Sequence, residues 1–441
     1  MNSKINCDVW IRHTSCLMED MTVAADMALV IKDGKILAVE KEGQNSYEAA
    51  ETVDGRDRLF LPGLVDCHMH TGQQLLKGAV LDELPMIWTR IMLPFESTLT
   101  PEKMKLSASL AALEMIKNGT TGFVESGGYF MEEAGEVYAK SGLRGALSCS
   151  GMDKGNLPDS IRQGTEEVLA SEERLFERFH GRGNLKVYYS LRALMNCSEA
   201  LIRESSAEAK RRGTFLQAHM NEYAGEVNYT LEQYRKRPVE YLEELGALGA
   251  HFVAAHGILL SAREQKLLAQ AGAKVVHCPF SNCGKGVPDT PGLLERGVCV
   301  GLGTDGAAHG GLSLWNEMRI FRSVMNAVRG VQNADPAVMP AKTILSMAAK
   351  NGAEILGEAG RLGVIKAGYH ADLISIDWTK PHLMPTANPV NTLLECVTGG
   401  DVADVMAAGN FLMQDRQVLT LDEEHILWQA KKYMETGEVG A

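Results

Sequence analysis

The chain has no apolar run approaching the length of a transmembrane helix, which argues against a membrane-spanning protein. It has no signal-peptide plan either. Met1-Asn2-Ser3-Lys4 runs directly into a mixed, strand-like segment, where a signal would place basic residues and then an apolar stretch. Nine cysteines, an odd number at irregular spacings, do not form a disulfide framework. These three absences lead us to expect a cytoplasmic protein. Positive charge is also scarce, with 44 basic against 56 acidic residues and a net charge of −12. A chain of that sign repels phosphate backbones, which argues against a nucleic-acid partner. The two short basic runs, at residues 210–212 and 235–237, read as solvated helix faces. No low-complexity segment interrupts the chain.

What is present is the composition of a soluble globular protein, with 45% hydrophobic and 23% charged residues over 441 positions. That length suggests one large domain and one smaller one. Residues 1–60 read as short strands, with a hairpin turn signal at Asp33-Gly34. Residues 361–420 read the same way, with strand candidates at Ala371 to Ile376 and Asn410 to Met413. We expect the two ends to pair into a small, discontinuous β-sandwich domain (1–60 and 361–441, with a helical tail) around a catalytic unit at 61–360.

The middle alternates short apolar runs with helical patterns. The runs fall at residues 60–65, 121–124, 145–148, 185–189, 214–218, 252–255, 273–276 and 298–302. One intervening helix is expected to start at Thr100, with Pro101 in its first position, and to stop at Asn118-Gly119. Eight strands separated by helices predict an α/β fold of the (β/α)₈, TIM-like barrel type. A doubly wound open sheet is the competing architecture, but it gives no special reason for eight units.

Polar residues fall at the ends of these runs. His68 and His70 follow the first run, His219 the fifth, His256 the sixth, His277 the seventh and Asp305 the eighth. In a barrel these positions share the rim where active sites form. Residues i and i+2 of a strand point the same way, so His68 and His70 can occupy adjacent positions on one metal ion. A third imidazole such as His219 and a carboxylate such as Asp305 complete a nitrogen–oxygen site.

The wording around these residues resembles the amidohydrolase superfamily across nearly the whole chain. Pro62 to His70 is similar to its first-strand signature, and Ala218-His219-Met220-Asn221-Glu222 to the HxxE element of its deaminase branch. Ala255-His256-Gly257, His277 to Asn282 and Gly303 to Ala307 follow in the family's order, and Gly363 to Asp377 resembles its return into the small β-domain. The likeness is to the methylthioadenosine/S-adenosylhomocysteine deaminase and triazine chlorohydrolase group, with one feature of guanine deaminases.

The resemblance implies one divalent ion, zinc or else iron, held by His68, His70, His219 and Asp305. No Lys ends the fourth run, where binuclear relatives carry a bridging carboxylated lysine, and Lys186 sits too early in that run. It also implies roles. Metal-bound water has a pKa lowered toward about 7, which makes hydroxide available at neutral pH. Glu222 would protonate the ring nitrogen and shuttle the proton, His256 would orient and help deprotonate the water, and Asp305 would accept a proton while ligating. His277 is expected to support the site and to lie near the substrate.

The long connection at residues 73–96 is expected to shape the substrate pocket. In it, Trp88 and Glu96 match positions that form the pocket and hold ribose hydroxyls in adenosine-type relatives. Two departures argue against an adenosyl substrate. Ser148-Cys149-Ser150 stands where those relatives carry Arg, and Arg192 stands where they carry His. Guanine deaminases have Arg at the second position, and a guanidinium suits a ring carbonyl. His309-Gly310 replaces the usual Ser-Asn beside the leaving group. Cys278 and Cys283 do not make the paired-cysteine motif of cytidine-type deaminases. The expected activity is deamination of a lactam-bearing purine, pterin or related ring. The alternatives are an adenosine-type deaminase, a triazine chlorohydrolase, a cyclic-amide hydrolase and a scaffold without catalysis. A homo-oligomer is expected from the resemblance alone.

Overall fold

A computed structural model describes residues 5–84 and 86–439. Two parallel sheets carry the middle of the chain. One has four strands in sequence order, Leu64–Met69, Thr120–Glu125, Arg144–Leu147 and Leu185–Val187. The other has five, also in order: Tyr189–Ala193, Leu216–Met220, Phe252–His256, Lys274–His277 and Val300–Leu302. The fourth and fifth of these nine pieces are consecutive, separated only by Tyr188, so the fourth apolar run passes from one sheet into the other. Elsewhere helices lie between successive strands, the usual connector of parallel neighbours.

The helix expected at Thr100 spans Pro101–Lys117. The Thr100 side chain accepts from the Lys103 N–H, capping one of the donors a helix start leaves free. The Asp33-Gly34 turn joins Val23–Lys32 to Lys35–Lys41, with both residues at positive φ (50° and 74°) as a type I′ hairpin requires.

A third, nine-stranded mixed sheet draws on both chain ends. Leu373–Asp377 pairs antiparallel with Arg58–Pro62, which pairs in turn with Ile5–Leu17. This corrects one expectation. The first apolar run is not one strand, because Arg58–Pro62 belongs to the mixed sheet and Leu64–Met69 opens the parallel one. Gly63 is the joint between them. A Cβ there would stand 2.1 Å from the Thr121 hydroxyl, so only glycine lets the chain turn this tightly against the neighbouring strand.

The apolar interior is divided accordingly. One large core joins the parallel strands to their helices. A smaller core under the mixed sheet contains Ile11, Leu29, Ile31, Phe60 and Leu373. A third gathers Val65, Cys67, Val124, Ala146, Val253 and Val276, all from parallel strands.

Candidate active site

His68 lies in the strand Leu64–Met69 and His70 just beyond it. His219 and His256 lie in their strands' last two positions, and Asp305 three residues past Leu302. All five are buried. Their convergence depends on how closely the last parallel strand approaches the first. The Thr304 and Asp305 N–H groups both reach the His68 carbonyl, at 3.1 and 3.0 Å. A Cβ on Gly303 would sit 2.7 Å from that same carbonyl oxygen, so glycine is required there. Asp66 fastens the junction, accepting from the Thr304 N–H and hydroxyl at 3.1 and 2.7 Å. Burial holds the Asp66 carboxyl up at about 6 despite those bonds. Asp305 and His256 both take positive φ, 60° and 72°, an uncommon backbone state concentrated at functional sites.

His68, His70, His219 and Asp305 each offer one donor atom within 4.8 Å of all the others. His70 Nε2 and His219 Nε2 are 3.1 Å apart, and Asp305 Oδ1 is 3.4 Å from His68 Nε2 and 3.5 Å from His70 Nε2. Four ligands about 2.0–2.1 Å from a tetrahedral ion stand about 3.3 Å from one another. The spacing therefore fits one ion, and the donor set fits a borderline cation such as zinc. Buried His68 Nε2 has no hydrogen-bond partner, an uncompensated lone pair that an ion would satisfy. Burial, with the neighbouring cations, keeps the His70 and His219 imidazoles neutral, the ligating form. Ser126 Oγ lies 2.8 Å from His70 Nδ1 and orients that ring. Lys186 points elsewhere, to Glu358 at 2.6 Å, and so does not take the bridging position of a binuclear site.

Glu222, His256 and Asp305 form a second converging group. His256 Nε2 stands 3.8 Å from Glu222 Oε1, while its Nδ1 lies 3.0 Å from Asn282 Oδ1. The Asn282 contact fixes the His256 ring, with Nε2 turned toward Glu222. Burial favours protonated Glu222, but His256 and Lys285 outweigh it and hold the carboxyl below its ordinary range. Ser281 donates a short hydrogen bond to Asp305 Oδ2.

Beside these groups opens a chamber of about 640 Å³. Trp88, Arg192 and His309 line it, together with Glu222. Arg192 is buried, its guanidinium 5.7 Å from the Trp88 ring centre, and it donates to Glu96 Oε1 at 3.0 Å. Glu96 itself lies behind Arg192 and is not on the wall. His309 Nε2 is 3.5 Å from Asp305 Oδ2. His277 is not on the wall either. Its Nδ1 donates to the His256 carbonyl at 2.7 Å, so it braces the backbone of His256, and burial lowers its pKa to about 4. Sequence reasoning quoted Asp66, Ser281 and Asn282 inside motifs without giving them roles, and it missed Lys285 and Ser126. The first three were legible by position, whereas nothing local marks the last two.

Residues 59–412 match the family described as the amidohydrolase family. A 5-methylthioadenosine/S-adenosylhomocysteine deaminase of Thermococcus onnurineus is 37% identical over 398 residues, covering 88% of this chain and 90% of that one. An adenosine deaminase from Xanthomonas campestris, solved with bound zinc, superposes with a TM-score of 0.92 at 27% identity, covering 98% and 99%. Two structures at 21% identity share the fold alone. They are atrazine chlorohydrolase from Arthrobacter aurescens (TM-score 0.89, covering 96% and 99%) and guanine deaminase from C. acetobutylicum (0.81, covering 91% and 99%). These likenesses imply a TIM-barrel-like α/β fold. With three imidazoles and one carboxylate converging at strand ends and a family match spanning most of its length, the chain belongs to the amidohydrolase family.

Proposed function

We propose that this protein is a metal-dependent aminohydrolase that replaces a ring amino group by a carbonyl with release of ammonia, acting on a lactam-bearing purine, pterin or related ring. The observation that carries the ring assignment is Arg192, a buried cation on the wall of the chamber that also holds Glu222 and the metal-ligating group. One divalent ion held by His68, His70, His219 and Asp305, with zinc favoured, would supply water of lowered pKa when bound. Glu222 is ionised at rest, so it can accept a proton and pass it to a ring nitrogen. His256 Nε2 faces the same carboxylate and orients the water beside it. Arg192 keeps donors beyond the one engaged by Glu96, and these suit a ring carbonyl. Trp88 and Phe280 give the ring apolar walls.

A second reading is an adenosine-type substrate. The chamber lies in the size range of drug-like ligands, which leaves room beyond a bare bicyclic ring. The Thermococcus relative is named for adenosine derivatives. Ammonia release by metal-analysed protein across guanine, 8-oxoguanine, pterins, aminotriazines and adenosine derivatives separates the two. Turnover of lactam rings, lost at least about 100-fold in Arg192→Met while adenosine derivatives change little, is the expected result. Equal losses on both classes would remove Arg192 from carbonyl recognition. Turnover of adenosine derivatives alone would establish the second reading, and halide release from a chlorotriazine added to the panel would point to a chlorohydrolase.

We also read the parallel strands as one closed eight-stranded barrel. The reach of Thr304 and Asp305 to His68 supports this, as does the shared core drawn from five of the strands. In this reading the small β-domain meets the barrel at Gly63, two residues later than the sequence suggested. A cytoplasmic location is supported by free cysteines throughout the described residues, none of whose helices is long and apolar enough to cross a membrane. Homo-oligomerisation rests on the family resemblance, and sedimentation of the purified protein tests it.

A further inference from the structure

A proton shuttle has to be held still as well as ionised. Glu222 stands in the connection after Leu216–Met220, next to Asn221 at φ 52°, and its side chain faces the chamber. Its backbone is fixed, since the Glu222 N–H donates to Glu226 Oε2 at 3.0 Å. Its carboxylate, at the end of three rotatable bonds, takes one hydrogen bond among the described residues, from Lys285 Nζ to Oε1 at 2.5 Å. The same oxygen is the one 3.8 Å from His256 Nε2. That leaves Oε2 for the substrate.

Lys285 is unusual for a lysine in being largely enclosed, with its side chain 22% exposed. It follows the short helix Pro279–Cys283, and its own N–H donates to the Asn282 carbonyl at 2.8 Å. Its ammonium also donates to Ser281 Oγ at 3.0 Å, and the Ser281 hydroxyl is spent on Asp305 Oδ2. One short segment therefore holds three parts of the centre. Ser281 holds Asp305, Asn282 holds His256, and Lys285 holds Glu222. An ammonium offers three donors, and two are accounted for by Ser281 and Glu222.

We propose that Lys285 is the positioning residue of the proton shuttle: clamped by the Ser281 hydroxyl, it fixes Glu222 Oε1 against His256 and turns Oε2 to the substrate. The inference rests on the deaminase reading for what Glu222 does, but the positioning is testable without turnover. A displacement of about 1 Å in a reacting group can cost about 100-fold in rate.

The test uses the metal-loaded full chain and the variants Lys285→Met and Lys285→Arg. In Lys285→Met the expected kcat for ammonia release falls about 30–100-fold, with KM within about 3-fold and metal content per chain unchanged. Lys285→Arg keeps a cationic donor and is expected to recover most of the rate. Crystal structures of both holo variants give the readout that needs no substrate. The Glu222 carboxylate should leave its place in Lys285→Met and keep it in Lys285→Arg. Glu222 unmoved in Lys285→Met would overturn the proposal, and so would a raised KM at unchanged kcat, which would make Lys285 a substrate contact. Should Lys285→Met not fold, Lys285→Gln takes its place, with the same expectations. If the parent protein releases no ammonia from any ring while Glu222 still moves in Lys285→Met, the deaminase reading fails and the positioning stands.

Discussion

Glu222 carries opposing demands. Its burial favours the neutral acid, and the cationic side chains around it favour the carboxylate. The cations prevail, so the side chain is ready to accept a proton at neutral pH. Glu222→Gln keeps the shape and removes that capacity. It should retain metal at the parent stoichiometry while kcat falls about 10²–10⁴-fold, the range for a lost general acid–base group. Metal analysis alongside ammonia release checks this, and near-parent turnover would take Glu222 out of proton transfer. At this scale the sequence was legible wherever a residue's neighbours in the chain identify it. The His68–His70 spacing and the three-residue offset from His219 to Glu222 are local patterns. Sequence does not tell that Glu96 and His277 stand off the chamber wall, because whether a side chain faces a cavity or its backing depends on packing from distant segments.

Among the elements, the ends matter more than the middles. The 3₁₀ turn Gly399–Asp401 feeds the mixed-sheet strand Val402–Ala407, and Asp401 ties it down. Its carboxylate accepts from Lys380 Nζ at 2.9 Å and from the Thr398 N–H at 2.8 Å, with His382 Nε2 3.0 Å away. Burial alone would raise this carboxyl, but these partners hold it at about 2. A carboxyl depressed in the folded state binds protons more weakly there than in the unfolded chain. Its stabilising contribution is present above the unfolded value near about 4 and is lost as pH falls through about 2. Asp401→Asn should therefore lower stability at pH 7 by about 1–2 kcal/mol, discounted for the exposure of Lys380 and His382. The deficit should shrink between pH 4 and 2, as read by denaturant titration at each pH. A deficit that is constant with pH would assign Asp401 a packing role instead. Helix starts such as Thr100-Pro101 were visible in the sequence because capping is a local exchange of hydrogen bonds. The division of the first apolar run at Gly63 was not, because the hydroxyl that excludes a side chain there comes from Thr121, on another strand.

At the scale of the whole molecule, a buried ion pair joins the mixed sheet to the parallel strands. Arg144 opens the strand Arg144–Leu147 and grips Asp372 with two parallel bonds of 3.0 Å, and Asp372 also accepts from the Ala408 N–H at 2.8 Å. Removing one partner of such a pair leaves a buried charge uncompensated. Arg144→Met should cost about 3–5 kcal/mol of unfolding free energy by urea titration. A loss under about 1 kcal/mol would show that apolar packing alone joins the two parts. Sequence by itself determined the alternation of strands and helices, the identity of the metal-ligating group and the participation of both chain ends in one β-structure, because periodicity, capping and short motifs act over a few residues. Only the tertiary structure decided which strand each end joins, that Arg192 screens Glu96 from the chamber, and that Lys285 reaches Glu222 across 63 positions. Such pairings arise where strands converge at one rim, and chain separation carries no information about distance there.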